Sequence, residues 1–163
     1  MSHERGNEER FASLMEAYAG AVRRLCSVYA GAPADREDLF QEIFLGVWRS
    51  LPAFRGGSSE RTWLYRIAHN VALTWQLRDR RRLSRQTALD DASPPEAKPI
   101  DVGRMDLERA VAQLRPADRS LILLWLEGLT AVEIEAVTGV QAATVAVRLG
   151  RIRRQLAPKE VGA

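Results

Sequence analysis

The amino-acid sequence predicts an all-α protein made of two small helical domains joined by a flexible linker. Three observations predict it. Apolar residues recur at steps of three and four through most of the chain, the signature of amphipathic helices. No segment alternates apolar and polar residues as a half-buried strand does. Across residues 84–104 the periodicity collapses, and Pro94, Pro95 and Pro99 stand among Ser, Ala and Asp residues. Proline lacks an amide donor and restricts its predecessor, which opposes a regular helix. A stretch of that length without structure is rare inside one compact domain. The boundaries therefore read as a flexible N-terminus (1–10), a first domain (11–83), a linker (84–104), a second domain (105–157) and a tail (158–163).

The first helix is carried by Phe11, Leu14, Met15, Tyr18, Val22, Leu25, Cys26 and Tyr29, and Gly31 and Pro33 end it. Asp35 is the expected N-cap of a second helix, with Glu37 and Asp38 in its electropositive first turn. Leu39, Phe40, Ile43, Phe44, Val47 and Leu51 form the inner face of that helix. Pro52 and Gly56 to Ser59 make a loop, and a third helix follows with Leu64, Ile67, Ala68, Val71 and Trp75 inward. Beyond the linker, Leu107, Val111 and Leu114 resume the helical period, and Pro116 suits the first turn of a helix that Gly128 ends. Thr130 and Glu133 match the capping-box pattern at the start of a short helix that stops at Gly139. The last helix spans about Ala142 to Leu156, with Val145, Leu149, Ile152 and Leu156 inward.

The chain has 163 residues with 24 Lys and Arg against 21 Asp and Glu, a net charge of +3. That total does not by itself indicate nucleic acid; the distribution does. Lys98 and Lys159 are the only lysines, so the basicity is arginine placed in clusters. Cys26 is the sole cysteine, which rules out an intramolecular disulfide and a cysteine metal cluster and reads as a buried structural thiol. Residues 1–10 lack the apolar core of a signal peptide, and the Leu121 to Leu126 run is too short to span a bilayer. A cytoplasmic protein without membrane insertion is expected.

Three constellations point to function. The first is C-terminal: a capped short helix, a glycine turn and a longer basic helix form a helix-turn-helix pattern. Arg148, Arg151, Arg153 and Arg154 lie there with no acidic residue between Gln141 and Lys159, suited to phosphates or guanine edges. The second runs from Arg61 to Arg85, with seven arginines, one aspartate, and Trp63, Tyr65 and Trp75 interleaved. Cationic grooves with aromatic surfaces hold single-stranded nucleic acid, although core packing is the first expectation for both tryptophans. The third is acidic: Asp35, Glu37, Asp38 and Glu42 gather around the second helix start, beside Gln41. A partner with basic residues fits it, and so do capping and solubility. No catalytic residue emerges: the chain has no Gly-rich phosphate loop and no nucleophile in a recognisable arrangement with a base and an acid. His3 and His69 have no companions for a metal site, Asp90 and Asp91 fall in the linker, and no cofactor or metal is expected.

Longer motifs carry a resemblance. The run Asp38-Leu39-Phe40-Gln41-Glu42-Ile43-Phe44, then Trp48, Leu51, Phe54-Arg55-Gly56 and Thr62 through Asn70, continuing to Arg78–Arg82, resembles the second region of extracytoplasmic-function (ECF) sigma factors of the sigma-70 family. Leu114-Arg115-Pro116, Glu133-Ile134, Thr144-Val145, Arg148, Leu149, Arg151 and Arg153 resemble their fourth region. Together these regions cover nearly all of the chain outside the linker and tail.

The resemblance implies a specificity subunit of DNA-dependent RNA polymerase, not an enzyme in its own right. Its implied partners are core RNA polymerase (the largest and second-largest subunits), promoter DNA and an anti-sigma factor. Asp38, Leu39, Gln41, Glu42 and Phe44 would belong to the helix that docks on the largest subunit. Asn70 would receive a flipped base of the −10 element, with Arg66, Arg78, Arg80, Arg81 and Arg82 on the DNA there. Gln141, Thr144, Arg148, Arg151, Arg153 and Arg154 would meet the −35 duplex. The chain departs from the family pattern at Leu73 and Thr74 in the −10 helix, and at Gln141, Ala146, Val147 and Gly150 in the recognition helix. The latter three offer little hydrogen bonding, so −35 readout is expected to lean on phosphates and DNA shape. Two other readings stay open on the residues alone: a stand-alone helix-turn-helix regulator with a sensing domain, and a protein–protein adaptor that kept the fold without reading DNA.

Overall fold

The computed structural model describes residues 2–87 and 107–157, and all of their regular structure is helical. In order these are α1 (Ser2–Tyr29), α2 (Pro33–Ser50) with a short 3-10 turn (Leu51–Ala53), α3 (Glu60–Thr87), α4 (Leu107–Ala112), α5 (Pro116–Leu126), α6 (Ala131–Thr138) and α7 (Ala142–Leu156).

Boundaries differ from the expectation in three places. Residues 2–10, expected as a flexible lead, form the first turns of α1. A packed helix is already nucleated, so Glu and Arg can prolong it cheaply, and Arg10 Nη2 holds Glu60 Oε2 at 3.2 Å across the bundle. α2 begins two residues before Asp35: Ala32 is the cap and Pro33 takes the first-turn position that suits proline, leaving Asp35 inside the first turn. α3 runs on through residues 84–87, where neither Gly nor Pro intervenes. The rest of the expected linker and the tail 158–163 lie outside the described residues.

α1, α2 and α3 pack around Leu14, Val22, Leu25, Leu39, Ile43, Val47, Leu64 and Ala68, all essentially inaccessible. Gly46 sets the approach of α2 to α3: a Cβ there would sit 3.3 Å from both Ile67 Cγ2 and Val71 Cγ2. Cys26 is buried in this core, and burial pushes its thiol up to about 12, an inert structural residue. α5, α6 and α7 close around Leu121, Leu124, Ile134, Val145, Leu149 and Ile152. The two cores are continuous, with α1 against α5 and α3 against α6. Polar contacts stitch the seam. Arg24 Nη2 donates to Glu127 Oε2 at 2.9 Å, Arg61 Nη2 to Glu133 Oε1 at 3.1 Å, and Arg66 Nε to the Ala136 carbonyl at 2.9 Å.

Candidate nucleic-acid and polymerase interfaces

The C-terminal helix-turn-helix is built locally. Thr130 Oγ1 accepts from the Glu133 amide at 3.2 Å, and Glu133 Oε2 accepts from the Thr130 amide at 2.7 Å, completing the expected capping box. The Thr130 amide, then the Arg61 guanidinium, holds the Glu133 carboxyl below its ordinary pKa. Gly139 ends α6 at φ +78°, a left-handed turn that suits glycine. Gln141 makes no cap for α7. Glu135 Oε2 instead accepts the Ala142 amide at 2.7 Å, capping α7 from the preceding helix and leaving the exposed Gln141 side chain outside the cap. Sequence reading missed this residue.

The α7 arginines are not equivalent. The Arg151 guanidinium lies 3.6 Å from the Asp118 carboxylate, which is buried in the first turn of α5. Arg153 lies over the Trp125 ring, 4.8 Å from its centroid. Arg148 is half-buried and lines the crevice between the domains. Arg154 is exposed, and its Nε donates to the Gly150 carbonyl at 3.2 Å. Thr144 is exposed in the first turn of α7.

On α3, Asn70, Arg78, Arg80, Arg81 and Arg82 are exposed. Leu73 and Leu77, on the same stretch, are exposed too, at 40% and 55%. Arg66 is exposed but bonded to α6. Trp63 and Trp75 are partly buried against the core. Arg78 Nη2 holds Glu42 Oε2 at 2.6 Å, and Asp79 holds Arg82 at 3.2 Å. The acidic start of α2 and the basic end of α3 thus face one cleft, lined by Asp35, Asp38, Glu42, Arg78 and Arg82. Separation in sequence hid that partial neutralisation.

On α2, Asp38 and Gln41 are exposed and Glu42 is partly so. Leu39 and Phe44, expected among the docking residues, are 0% and 4% exposed. Leu39 supports the helix from within, and the Phe44 ring packs inward while its edge lines the same groove as Gln41. Beside Gln41 an apolar groove opens, in which Trp48 (39% exposed) packs edge-on to Phe11 and Leu45 is 45% exposed.

His69, given no role from sequence, is buried where the domains meet. Its Nδ1 lies 2.9 Å from Tyr29 Oη, and Tyr29 Oη also bonds Ser120 Oγ, which donates to the Pro116 carbonyl at 3.1 Å. The proton order His69 to Tyr29 to Ser120 to Pro116 uses each donor once. Burial lowers the His69 pKa and pushes Tyr29 up to about 12. Only the fold brings these residues together, since they come from α1, α3 and α5.

The structure therefore defines a helical protein with one helix-turn-helix unit and one arginine-ended three-helix unit. Comparison with known proteins gives the class. The family pattern described as Sigma-70 region 2 matches residues 14–83, and that described as Sigma-70, region 4 matches residues 104–156. The chain is 36% identical over 152 residues to the ECF RNA polymerase sigma factor SigE of Mycolicibacterium smegmatis, covering 88% of this chain and 58% of that protein. It is 39% identical over 106 residues to SigG of Mycobacterium tuberculosis, covering 65% of this chain and 27% of that protein. It is 29% identical over 168 residues to the ECF sigma-E factor of Escherichia coli K12, covering 94% and 87%. The chain thus spans little more than half of SigE and about a quarter of SigG. In fold it is similar to the sigma factor RpoE solved with the anti-sigma factor NepR from Bartonella quintana, at a TM-score of 0.71 and 24% identity over 91% of this chain and 94% of that one. It is also similar to CnrH solved with the cytosolic domain of CnrY, at a TM-score of 0.62 and 24% identity over 93% and 88%. The chain belongs to the sigma-70 family, in its ECF group. Among the described residues no helix is long and apolar enough to cross a membrane.

Proposed function

We propose that this chain is an alternative sigma factor: it binds core RNA polymerase in the cytoplasm and directs it to promoters, while the chemistry belongs to the polymerase. The observation that carries this reading is the presence, in one chain and in order, of both sigma regions, with Asp38, Gln41, Asn70, Arg78, Arg80, Arg81, Arg82 and Arg154 exposed. Asp38, Gln41 and Glu42, beside the Leu45–Trp48 groove, form the polymerase-docking face. Asn70 and the α3 arginines take the opened −10 strand. α7 enters the −35 major groove. An anti-sigma factor is proposed as a regulator, because the sigma factor RpoE of similar fold was solved with one.

The −10 and −35 elements lie about 25 base pairs apart, roughly 85 Å of duplex at about 3.4 Å per pair. Yet α3 touches α6, and Arg66 is bonded to Ala136. The described arrangement is therefore a closed state, and binding both elements requires the domains to part.

Run-off transcription with purified core polymerase and selected promoter fragments tests the reading. Promoter-dependent transcripts that need both proteins are expected. Tight promoter binding without polymerase would instead identify a stand-alone regulator, and polymerase binding without promoter-specific transcripts would identify an adaptor.

A further inference from the structure

The outward face of α7 is apolar where a DNA-reading helix is normally polar. At about 100° per residue, Val145, Leu149 and Ile152 mark the buried side. The opposite stripe is then Ala143, Val147, Gly150 and Arg154. Val147 is 72% exposed and contributes nothing to the core. Thr144 and Arg151 flank the stripe, and no acidic residue occurs between Gln141 and Lys159. A helix-turn-helix uses the N-terminal part of its second helix on base edges, so Ala143 and Val147 hold the reading positions.

Gly150 gives a second, independent observation. Glycine inside a helix costs about 1 kcal/mol relative to alanine. Among the described residues nothing requires it: a Cβ at Gly150 would meet none of their atoms within 4 Å, and its φ is not positive. The space that the missing side chain leaves is on the outside, where a ligand surface can approach the backbone.

We propose that Ala143, Val147 and Gly150 form a contact strip that reads thymine C5-methyl groups in the −35 duplex, with Gly150 allowing the closest approach of the helix to the groove. Among base edges in the major groove, the thymine methyl is the apolar one, and small aliphatic side chains are its complement. The basic flanks make DNA, rather than an apolar protein surface, the occupant. The inference rests on α7 being the −35 reader.

The test uses holoenzyme reconstituted with the full chain. Duplexes with a randomised −35 element are selected for binding, and each thymine of the preferred sequence is then replaced by deoxyuridine, which removes only the methyl. At one or two thymines the replacement should weaken binding about fourfold, the effect of losing one buried methyl. Val147→Ala, which shortens the side chain, should shrink that difference at the thymine Val147 faces, and its exposure keeps folding out of the result. Gly150→Ala should raise the thermal midpoint while lowering affinity for the preferred duplex. Deoxyuridine that is tolerated everywhere, or a methyl effect that Val147→Ala leaves undiminished at every thymine, would overturn the methyl contact while a loss of affinity in Arg154→Ala leaves α7 as the reader. Unchanged affinity in both Arg154→Ala and Val147→Ala would remove α7 from the −35 interface altogether, and this proposal with it.

Discussion

Ser120→Ala should loosen the closed state without harming either domain. Ser120 Oγ makes the buried cross-domain bond to Tyr29 Oη and one bond within its own helix, to Pro116. In the open state Tyr29 keeps His69 and gains water, so the variant removes one hydrogen bond specific to closure. Such a bond contributes a net of about 0.5–1.5 kcal/mol, which raises the opening constant roughly 2- to 13-fold. Tyr29→Phe should act less cleanly, because it also deprives buried His69 of its partner inside the first domain. Amide hydrogen exchange in α5 and α6 reports the opening, small-angle scattering reports the accompanying expansion, and Ser13→Ala, on an exposed face of α1, is the control. If the closed state cannot bind promoter DNA, holoenzyme affinity should improve by up to the same factor, since apparent affinity scales with the competent fraction. Exchange in α5 and α6 indistinguishable from the parent would refute the Ser120 bond as a latch.

Asp38→Lys should weaken core-polymerase binding with helical content unchanged; it is a cleaner probe than reversal at Glu42, whose carboxylate is paired with Arg78. An unaltered titration would move the docking surface off this face. Asn70→Ala should relax discrimination at one −10 base and slow promoter opening; identical responses to all four bases at every −10 position would remove the pocket. The closed state should also loosen below about pH 6.5. Burial lowers the His69 pKa from 6.5, so the closed form binds fewer protons than a form in which the ring is wet. Its stability is full above that value and is lost as pH falls through the window beneath it. Tyr29 of α1, Arg80 of α3 and Arg148 of α7 line the same cavity of about 360 Å³, so His69→Gln in an Arg80- and Arg148-intact chain is the control. An opening constant independent of pH between 5 and 7 would contradict it.

What the sequence made legible was what repeats or caps locally. The helical period located each α-helix among the described residues, and the Thr130–Glu133 box and Gly139 fixed α6 because both signals lie within a few residues. What the sequence left hidden falls where distant residues decide. Residues 2–10 look unstructured alone but extend a helix braced by Arg10 on Glu60. Leu39 and Phe44 belong to a motif whose exposed and buried members alternate at helical spacing, so the motif named them together while the fold separates them. Arg151 resembled a base reader by position, yet its guanidinium is directed toward Asp118, some thirty residues away on α5. The Tyr29–His69–Ser120 chain had no sequence signal, since its members lie on three helices.

The position of α2 decides how opening can be driven. α2 packs on α1 and α3, and its exposed Asp38, Gln41 and Trp48 are accessible with the domains closed. A partner that binds only this face meets the same surface in the closed and open forms. Equal affinity for two states shifts nothing, however tight the binding. On the proposed reading, docking through α2 therefore captures the chain but does not part its domains. Opening must come from a contact that exists only after separation: polymerase or −35 DNA on α5–α7, or a −10 strand on α3 once Arg66 has left the Ala136 carbonyl. The polar contacts of the α3–α6 seam are the Arg66 hydrogen bond to the Ala136 carbonyl and the Arg61–Glu133 ion pair, both partly exposed. An exposed ion pair contributes only about 0–1 kcal/mol, so most of the resistance to opening lies in the apolar contacts of α1 with α5 and α3 with α6 and in the Ser120 bond. An anti-sigma factor that bridges both domains would need only to add modestly to a closure the chain already favours.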